Sequence, residues 1–249
     1  MEDIIKLSNL IENPAPTSCP GCGHLLFFRL IREVINEMGL DDKTLHCNGI
    51  GCTGVVRPWL NHATVPLLAH GRAAAVATGA KLTNPDTFVY TFQGDGDAYV
   101  IGLAETLNAA YRNENISVFI SNNTLYALTG GQLSWTTLPE QVTTSSPFGR
   151  DCAMTGKPLH VPEMIANEFP DVAYVARGTM NSVKNIIALK KMVRNAIEAQ
   201  MNGEGYSMVE CLSVCQNNWH MSPLEARKHI DNVMIPEYPI GEFKKRKDL

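Results

Sequence analysis

The sequence contains no stretch of about 18 consecutive apolar residues, so no membrane-spanning helix and no membrane partner are expected. Lysine and arginine (21) do not outnumber aspartate and glutamate (25), and the longest basic run is Lys244-Lys245-Arg246-Lys247. A polyanion-binding surface is therefore not expected, and nucleic acid is excluded as a partner. No Gly-x-x-x-x-Gly-Lys-Ser/Thr occurs, which removes a P-loop. The amino-terminal Met1-Glu2-Asp3-Ile4-Ile5-Lys6 lacks the basic start and apolar stretch of a signal peptide, so a reducing, cytoplasmic location is expected. Aromatic residues are sparse at 7%, but 45% of the 249 residues are hydrophobic and only 18% charged. That composition excludes a disordered tail or a disulfide-stapled mini-protein and leaves room for one large core. What stands out is cysteine. There are seven, and in a reducing compartment a cluster of cysteines points to metal or redox chemistry rather than disulfides.

Hydrophobic periodicity predicts alternating helices and strands. Phe27, Leu30, Ile31, Val34, Ile35 and Met38 recur at helical spacing from His24 until Gly39, and Arg72 to Leu82 reads as an alanine-rich, close-packed helix. Thr44 to Cys47 is a short strand ahead of the glycine-rich Gly49–Gly54. Thr87 to Phe92 is a β-branched and aromatic strand, Gly94-Asp95-Gly96-Asp97 a turn, Leu103 to Tyr111 a helix and Ile116 to Ile120 a buried strand, together a βαβ unit. A strand at Val172–Ala176, a helix from about Ser182 to Met201 and a strand at Met208–Leu212 follow. The expected fold class is α/β, a parallel sheet with helices on both faces. Residues 125–155 show no periodicity, and a loop of that length inside a compact domain is usually functional. The expected organisation is one domain over 1–249. It has an amino-terminal Cys-x-x-Cys arm (1–23, with Pro14 and Pro16 extended) and a tail (219–249) in which Ser222-Pro223 opens a short helix and Pro236 and Pro239 lie in an extended stretch.

Two familiar motifs fail on inspection. Gly49-x-Gly51-x-x-Gly54 matches a dinucleotide fingerprint, but Arg57-Pro58 interrupts the helix it requires, and no acidic residue occurs between Asp42 and Asp86 to hold a ribose. Asp95-Gly96-Asp97 opens like a calcium loop, yet Val100 and Thr106 stand where glycine and glutamate are required. What remains is Gly94-Asp95-Gly96 followed, after residues 97–121, by Asn122-Asn123. This pair of motifs resembles the thiamine diphosphate-binding signature. Asp95 and Asn123, at the ends of neighbouring strands, would converge on a hard cation (Mg²⁺), joined by the backbone carbonyl of Leu125 and by diphosphate oxygens. The helix starting near Ala98 would direct its N–H groups at the diphosphate.

Cys19-Pro20-Gly21-Cys22-Gly23-His24 places a Cys-x-x-Cys at a helix mouth, without the preceding βαβ context of a thioredoxin-like pair. Taken with Gly49–Gly54, His70-Gly71-Arg72-Ala73, the GDGDA and Asn-Asn motifs and Thr129-Gly130-Gly131-Gln132, it makes the chain resemble, over nearly its whole length, the β subunit of 2-oxoacid:ferredoxin oxidoreductases. That resemblance implies the diphosphate-binding domain of the thiamine diphosphate-binding fold and a [4Fe–4S] cluster on Cys19, Cys22, Cys52 and Cys215. Cys211, in mid-strand, is the weaker alternative to Cys215, and Cys47 and Cys152 are expected to be ordinary buried residues. Four thiolates could equally hold a structural zinc, a choice the adjacent thiamine motif tilts toward iron–sulfur.

The resemblance further implies that Gly94, Asp95, Gly96, Asp97, Asn123, Leu125, Thr129 and Gly130 bind the cofactor, that Asp95, Asn123 and Leu125 hold Mg²⁺, and that residues 129–137 fold over the diphosphate and thiazolium. His70 and Arg72 are weak candidates for contact with cofactor or substrate. The implied reaction is oxidative decarboxylation of a 2-oxoacid with coenzyme A, electrons passing singly to ferredoxin. The activating glutamate would come from a pyrimidine-binding α subunit, with small γ and ferredoxin-like δ subunits completing a complex without which this chain is inactive. The segments 132–150, 218–219 and 236–241 look closest to relatives acting on branched-chain 2-oxoacids, with 2-oxoglutarate next, although Trp135 stands where relatives commonly have proline. The rival expectations are a non-oxidative thiamine diphosphate decarboxylase or synthase subunit whose cysteines hold zinc or nothing, and a non-catalytic metal-binding subunit.

Overall fold

The computed structural model describes residues 18–54, 63–65 and 69–246. Pro14, Pro16 and most of the amino-terminal arm, and Arg57-Pro58, lie outside the described residues. In chain order, α1 (Gly23–Glu37) leads to β1 (Thr44–Asn48), β2 (Ala63–Val65) and α2 (Ala73–Thr83). Next come β3 (Phe88–Gly94), α3 (Leu103–Tyr111), β4 (Ser117–Asn122) and a small hairpin of β5 (Leu125–Tyr126) and β6 (Gln132–Leu133). The chain then runs through α4 (Val161–Glu168), β7 (Tyr174–Thr179), α5 (Val183–Met201), β8 (Ser207–Leu212), α6 (Pro223–His229) and β9 (Gly241–Lys244).

Seven strands form one sheet in the order β2-β1-β3-β4-β8-β7-β9. All pairs are parallel except β7 with β9, which is antiparallel. Strand alternation splits the core into two layers. Phe88, Tyr90, Phe92, Phe119, Val209 and Cys211 face Phe27, Ile31, Val34 and Ile35 of α1 and Leu189, Val193 and Ile197 of α5. Val89, Val118, Ile120, Val175 and Met208 face the other way, onto Ala74 and Ala77 of α2, Ala109 and Ala110 of α3, and Val161 and Ile165 of α4. The predicted periodicity of α1 is met, and its end is a left-handed Gly39 (φ 66°) with Leu40 N–H donating to the Ile35 carbonyl.

Three details differ from expectation. The sheet is not purely parallel, because the tail returns along its own domain and pairs β9 with β7. Pro236 is not extended. A capping box at Ser222 and Glu225 starts α6, and helical conformation continues through a wider π-type turn at Ile230–Met234, closed by the Ile235 N–H on the Ile230 carbonyl, into Ile235–Glu237, so Pro236 lies in the last turn of a helical run. β7 starts at Tyr174 rather than Val172, because the Val172 N–H is used by the Phe169 carbonyl. Among the described residues no helix is long and apolar enough to cross a membrane.

This topology decides where chemistry can sit. In a parallel sheet the carboxyl ends of the strands share one edge, and ligands bind there. β1, β3, β4 and β8 are consecutive neighbours, and the chain after each carries one motif. Cys52 follows β1, Asp95 follows β3, Asn123 follows β4 and Cys215 follows β8.

Candidate functional site

Asp95 and Asn123 leave adjacent strands whose register pairs Gly94 with Ser121. Both side chains are buried. The terminal amide atom of Asn123 that faces the pocket lies 3.3 Å from Asp95 Oδ1 and 2.8 Å from the Leu125 carbonyl oxygen. With nitrogen there, the amide donates to both. With its oxygen there, that oxygen accepts a long hydrogen bond from the Leu125 N–H at 3.4 Å, and three oxygens that carry no hydrogen of their own converge, the donor set of a hard cation. Adjacent oxygens around Mg²⁺ at ~2.0–2.1 Å are about 2.9 Å apart, so the spacing suits that ion. Burial pushes the Asp95 carboxyl up to about 6, against the lowering effect of hydrogen bonds from the Thr136 and Ser134 hydroxyls and the Asn123 N–H. A buried carboxylate of this kind gains its charge most readily with a cation beside it.

These residues line a cavity of about 110 Å³ together with Gly94, Gly96, Asp97, Thr129, His70 and Tyr126. Gly96 is packed against the Tyr126 ring so closely that a Cβ would lie 2.4 Å from a ring carbon, and the Tyr126 hydroxyl donates to the Gly96 carbonyl at 3.2 Å. Asp97 organises the cavity wall. Its carboxylate accepts from the Gly71 N–H (2.7 Å), the Gln93 amide (2.8 Å) and the Ile50 N–H (3.3 Å), and it pairs with His70 Nδ1. Helical conformation already begins at Asp95, with a wider π-type turn over Asp97–Ile101 before α3. Arg72 is not among the residues lining either cavity; its guanidinium pairs with Glu105.

Next to this lies a second cavity, of about 310 Å³, lined by Cys19, Cys22, Cys52 and Cys215 together with Gly130, Asn217 and Asn218. Three separated segments bring the four thiols together. The arm is fastened to the turn after β8 by the Gly23 N–H, which donates to the Val214 carbonyl at 3.3 Å. Glycine is needed there because a Cβ would lie 2.6 Å from both Ser213 Cβ and the Val214 nitrogen. Two side-chain amides donate to sulfur, Asn217 to Cys19 Sγ at 3.1 Å and Asn218 to Cys215 Sγ at 3.3 Å. Burial pushes the Cys52 thiol up to about 12, and the neighbouring Cys22, Cys215 and Cys19 add to the rise. Burial likewise raises Cys22 and Cys215. Four thiols lining one cavity, two of them with amide donors on sulfur, are residues that could hold a metal or cluster. Among the described residues no three His, Cys, Asp or Glu side chains close on one point as ligands of a single metal ion.

Cys211 is fully buried between the sheet and its helices and lines neither cavity, so of the two late cysteines only Cys215 joins the others. Cys47 is buried as expected, whereas Cys152 is only half-buried, in a single helical turn at the surface. The sequence singles out the segments that contain His24, Thr136 and Trp219 but gives none of the three a role of its own at the site. His24 is buried, lines both cavities and bonds Ser121 Oγ through Nδ1 at 3.0 Å; burial lowers its pKa to about 4, which keeps the ring neutral. Thr136 donates its hydroxyl to Asp95 Oδ2, and Trp219 Nε1 donates to the Asn123 carbonyl at 3.2 Å.

Comparison with known proteins identifies the family. Residues 49–211 match the family described as thiamine pyrophosphate enzyme, C-terminal TPP binding domain. The 2-oxoglutarate synthase subunit KorB of Archaeoglobus fulgidus is 34% identical over 91% of this chain and 84% of its own length. The chain belongs to the family of 2-oxoacid:ferredoxin oxidoreductase β subunits. Within that family, the ketoisovalerate oxidoreductase subunits VorA of Methanothermobacter thermautotrophicus and M. marburgensis are 37% and 38% identical over 93% of this chain. The chain spans about half of their length (49%). The fold also matches a 2-oxoglutarate:ferredoxin oxidoreductase from Magnetococcus marinus solved with 2-oxoglutarate, coenzyme A and succinyl-CoA. The TM-score is 0.73 at 24% identity, covering 97% of this chain and 85% of the other.

Proposed function

We propose that this chain is the thiamine diphosphate- and [4Fe–4S]-binding β subunit of a complex that oxidatively decarboxylates a 2-oxoacid. Coenzyme A would accept the acyl group, carbon dioxide would leave and ferredoxin would be reduced. The observation that carries this reading is adjacency. The oxygen-lined and sulfur-lined cavities share a wall made of His24, Cys52, Asn123, Ala127 and Leu128. Decarboxylation and electron removal would thus be separated by single side chains.

In this reading Asp95, Asn123 and the Leu125 carbonyl hold Mg²⁺, while Gly94, Gly96, Asp97, Thr129 and Gly130 shape the space around the diphosphate. Cys19, Cys22, Cys52 and Cys215 hold the cluster. Bound thiamine diphosphate supplies the carbon nucleophile for decarboxylation and the cluster a one-electron sink. The protein's own share is position and exclusion of water. Asp97 pairs with His70 Nδ1, and His70 lines the cavity. Buried, neutral His24 adds no charge to the shared wall. The 125–155 loop covers Asp95, with Thr136 buried against it.

An α subunit would bring the pyrimidine-binding domain and the activating glutamate, and γ and ferredoxin-like δ subunits would complete the path to ferredoxin. Two relatives named for ketoisovalerate, at 37% and 38% identity over 93% of the chain, favour a branched-chain 2-oxoacid over 2-oxoglutarate. The test is anaerobic purification of the assembled complex, iron and acid-labile sulfide analysis, and viologen reduction with a panel of 2-oxoacids and coenzyme A. Four irons per β chain beyond those that the ferredoxin-like subunit holds alone, and highest kcat/KM with branched-chain substrates, are expected. A colourless, iron-free complex would overturn the oxidative reading in favour of a non-oxidative decarboxylase or synthase. Activity from the isolated chain would overturn the dependence on partners.

A further inference from the structure

A carboxylate can meet a cation with one oxygen or two. At Asp95 the two oxygens face different partners. Oδ2 is taken by the Thr136 hydroxyl, and Oδ1 is the oxygen that faces the Asn123 amide, 3.3 Å away. Thr136 is itself held from three sides. Tyr238 OH donates to its carbonyl at 2.8 Å, and Ser134 Oγ lies 3.2 Å from its hydroxyl. Buried Arg150 clamps the neighbouring carbonyls of Trp135 (3.2 Å) and Thr137, with the Gly156 carbonyl at 2.9 Å on its far side. Turning Asp95 to offer both oxygens would break a buried hydrogen bond and disturb a clamp that spans the loop and the tail.

The two common hard cations differ in what they ask of a carboxylate. Ca²⁺ accepts 6–8 oxygens at ~2.3–2.6 Å and gains from bidentate carboxylates, whereas Mg²⁺ takes six at ~2.0–2.1 Å and is served by single oxygens. Resting on the reading of Asp95, Asn123 and Leu125 as the cation site, we propose that Thr136 is a specificity-determining positioning residue. By keeping Asp95 monodentate it makes the site select Mg²⁺ over Ca²⁺.

The experiment is calorimetric titration of the assembled, cation-stripped complex with Mg²⁺ and with Ca²⁺ at saturating thiamine diphosphate, for wild type, Thr136→Ala and Thr136→Ser. Wild type is expected to bind Mg²⁺ more tightly than Ca²⁺. Thr136→Ala is expected to lower that affinity ratio about ten-fold, the usual scale for loss of an outer-sphere partner, and Thr136→Ser to restore it. Cation binding by both variants with an unchanged ratio overturns the proposal and leaves the cofactor reading standing. So does a wild type that prefers Ca²⁺, a result that needs no variant to fold. A wild type that binds neither cation with thiamine diphosphate overturns the cofactor reading itself, and the proposal with it.

Discussion

The oxygen-lined and sulfur-lined cavities share a wall but are built in opposite ways. Asp95 and Asn123 sit directly after the ends of two paired central strands, both are buried, and the residues just before them are held by the sheet. The four thiols come from an arm ahead of α1, the loop after β1 and the turn after β8; Cys19 is exposed and the other three half-buried. The first cavity therefore inherits the rigidity of the core, and the second depends on one loop docking against another. Sheet ladders hold positions cooperatively, whereas a docked arm is held by the few contacts it makes itself. A cluster bound to four thiolates would supply the missing cross-links, as structural metals do elsewhere.

The largest effect expected from this contrast is at Asp95. Asp95→Ala should weaken Mg²⁺-dependent thiamine diphosphate binding by at least about 100-fold while leaving iron content unchanged, as read by calorimetry and metal analysis of the same preparation. The mirror experiment is Cys22→Ser, which should remove about four irons per β chain and leave cofactor binding within a few-fold. Cys211→Ser should keep the iron and cost roughly 1–3 kcal/mol for a buried hydroxyl without a designed partner. If Cys211→Ser loses iron and Cys215→Ser keeps it, the assignment of the fourth thiol is reversed.

Next in size is the charged network beneath Asn122. Fully buried Arg177 pairs with Glu210 and, at 2.5 Å, with Glu163, and Glu210 in turn accepts from the Asn122 amide at 3.1 Å. Arg177→Met leaves two carboxylates without their cation and should destabilise the chain by about 3–5 kcal/mol in urea unfolding. The loss should fall on thiamine diphosphate affinity before iron content, since the network supports the Asn-Asn turn. Smallest is Gly23→Ala, whose methyl would press on Ser213 and Val214. A cost of about 1–3 kcal/mol is expected, with faster iron release to a chelator and unchanged Mg²⁺ affinity. Equal weakening of both cavities by Gly23→Ala would show that they are one unit rather than two.

Legibility in the sequence followed the same divide. The GDG and Asn-Asn motifs could be read because each is short, contiguous and placed at the end of a strand with clear alternation. Thr136 could not be read, since a threonine in an aperiodic loop carries no local signal. Only the folded loop brings its hydroxyl to Asp95, 41 positions away. His24 was visible only as part of the CPGCGH motif, and its place in the shared wall depends on α1 packing across β4. The tail misled for a physical reason. Proline reads as a break in a sequence, but the helical run after α6 has already shifted to a wider π-type turn just ahead of Pro236, and the proline sits in helical backbone there.

By itself the sequence determined the α/β class, the order of most elements and which residues are candidate donors, because periodicity and short motifs are local properties of the chain. Tertiary structure decided which cysteine accompanies the other three, which Asp95 oxygen faces the cavity and where the tail lies. Those depend on strand order, on the alternation that turns Cys211 into the core and leaves Cys215 beyond the strand end, and on contacts between residues far apart in the chain.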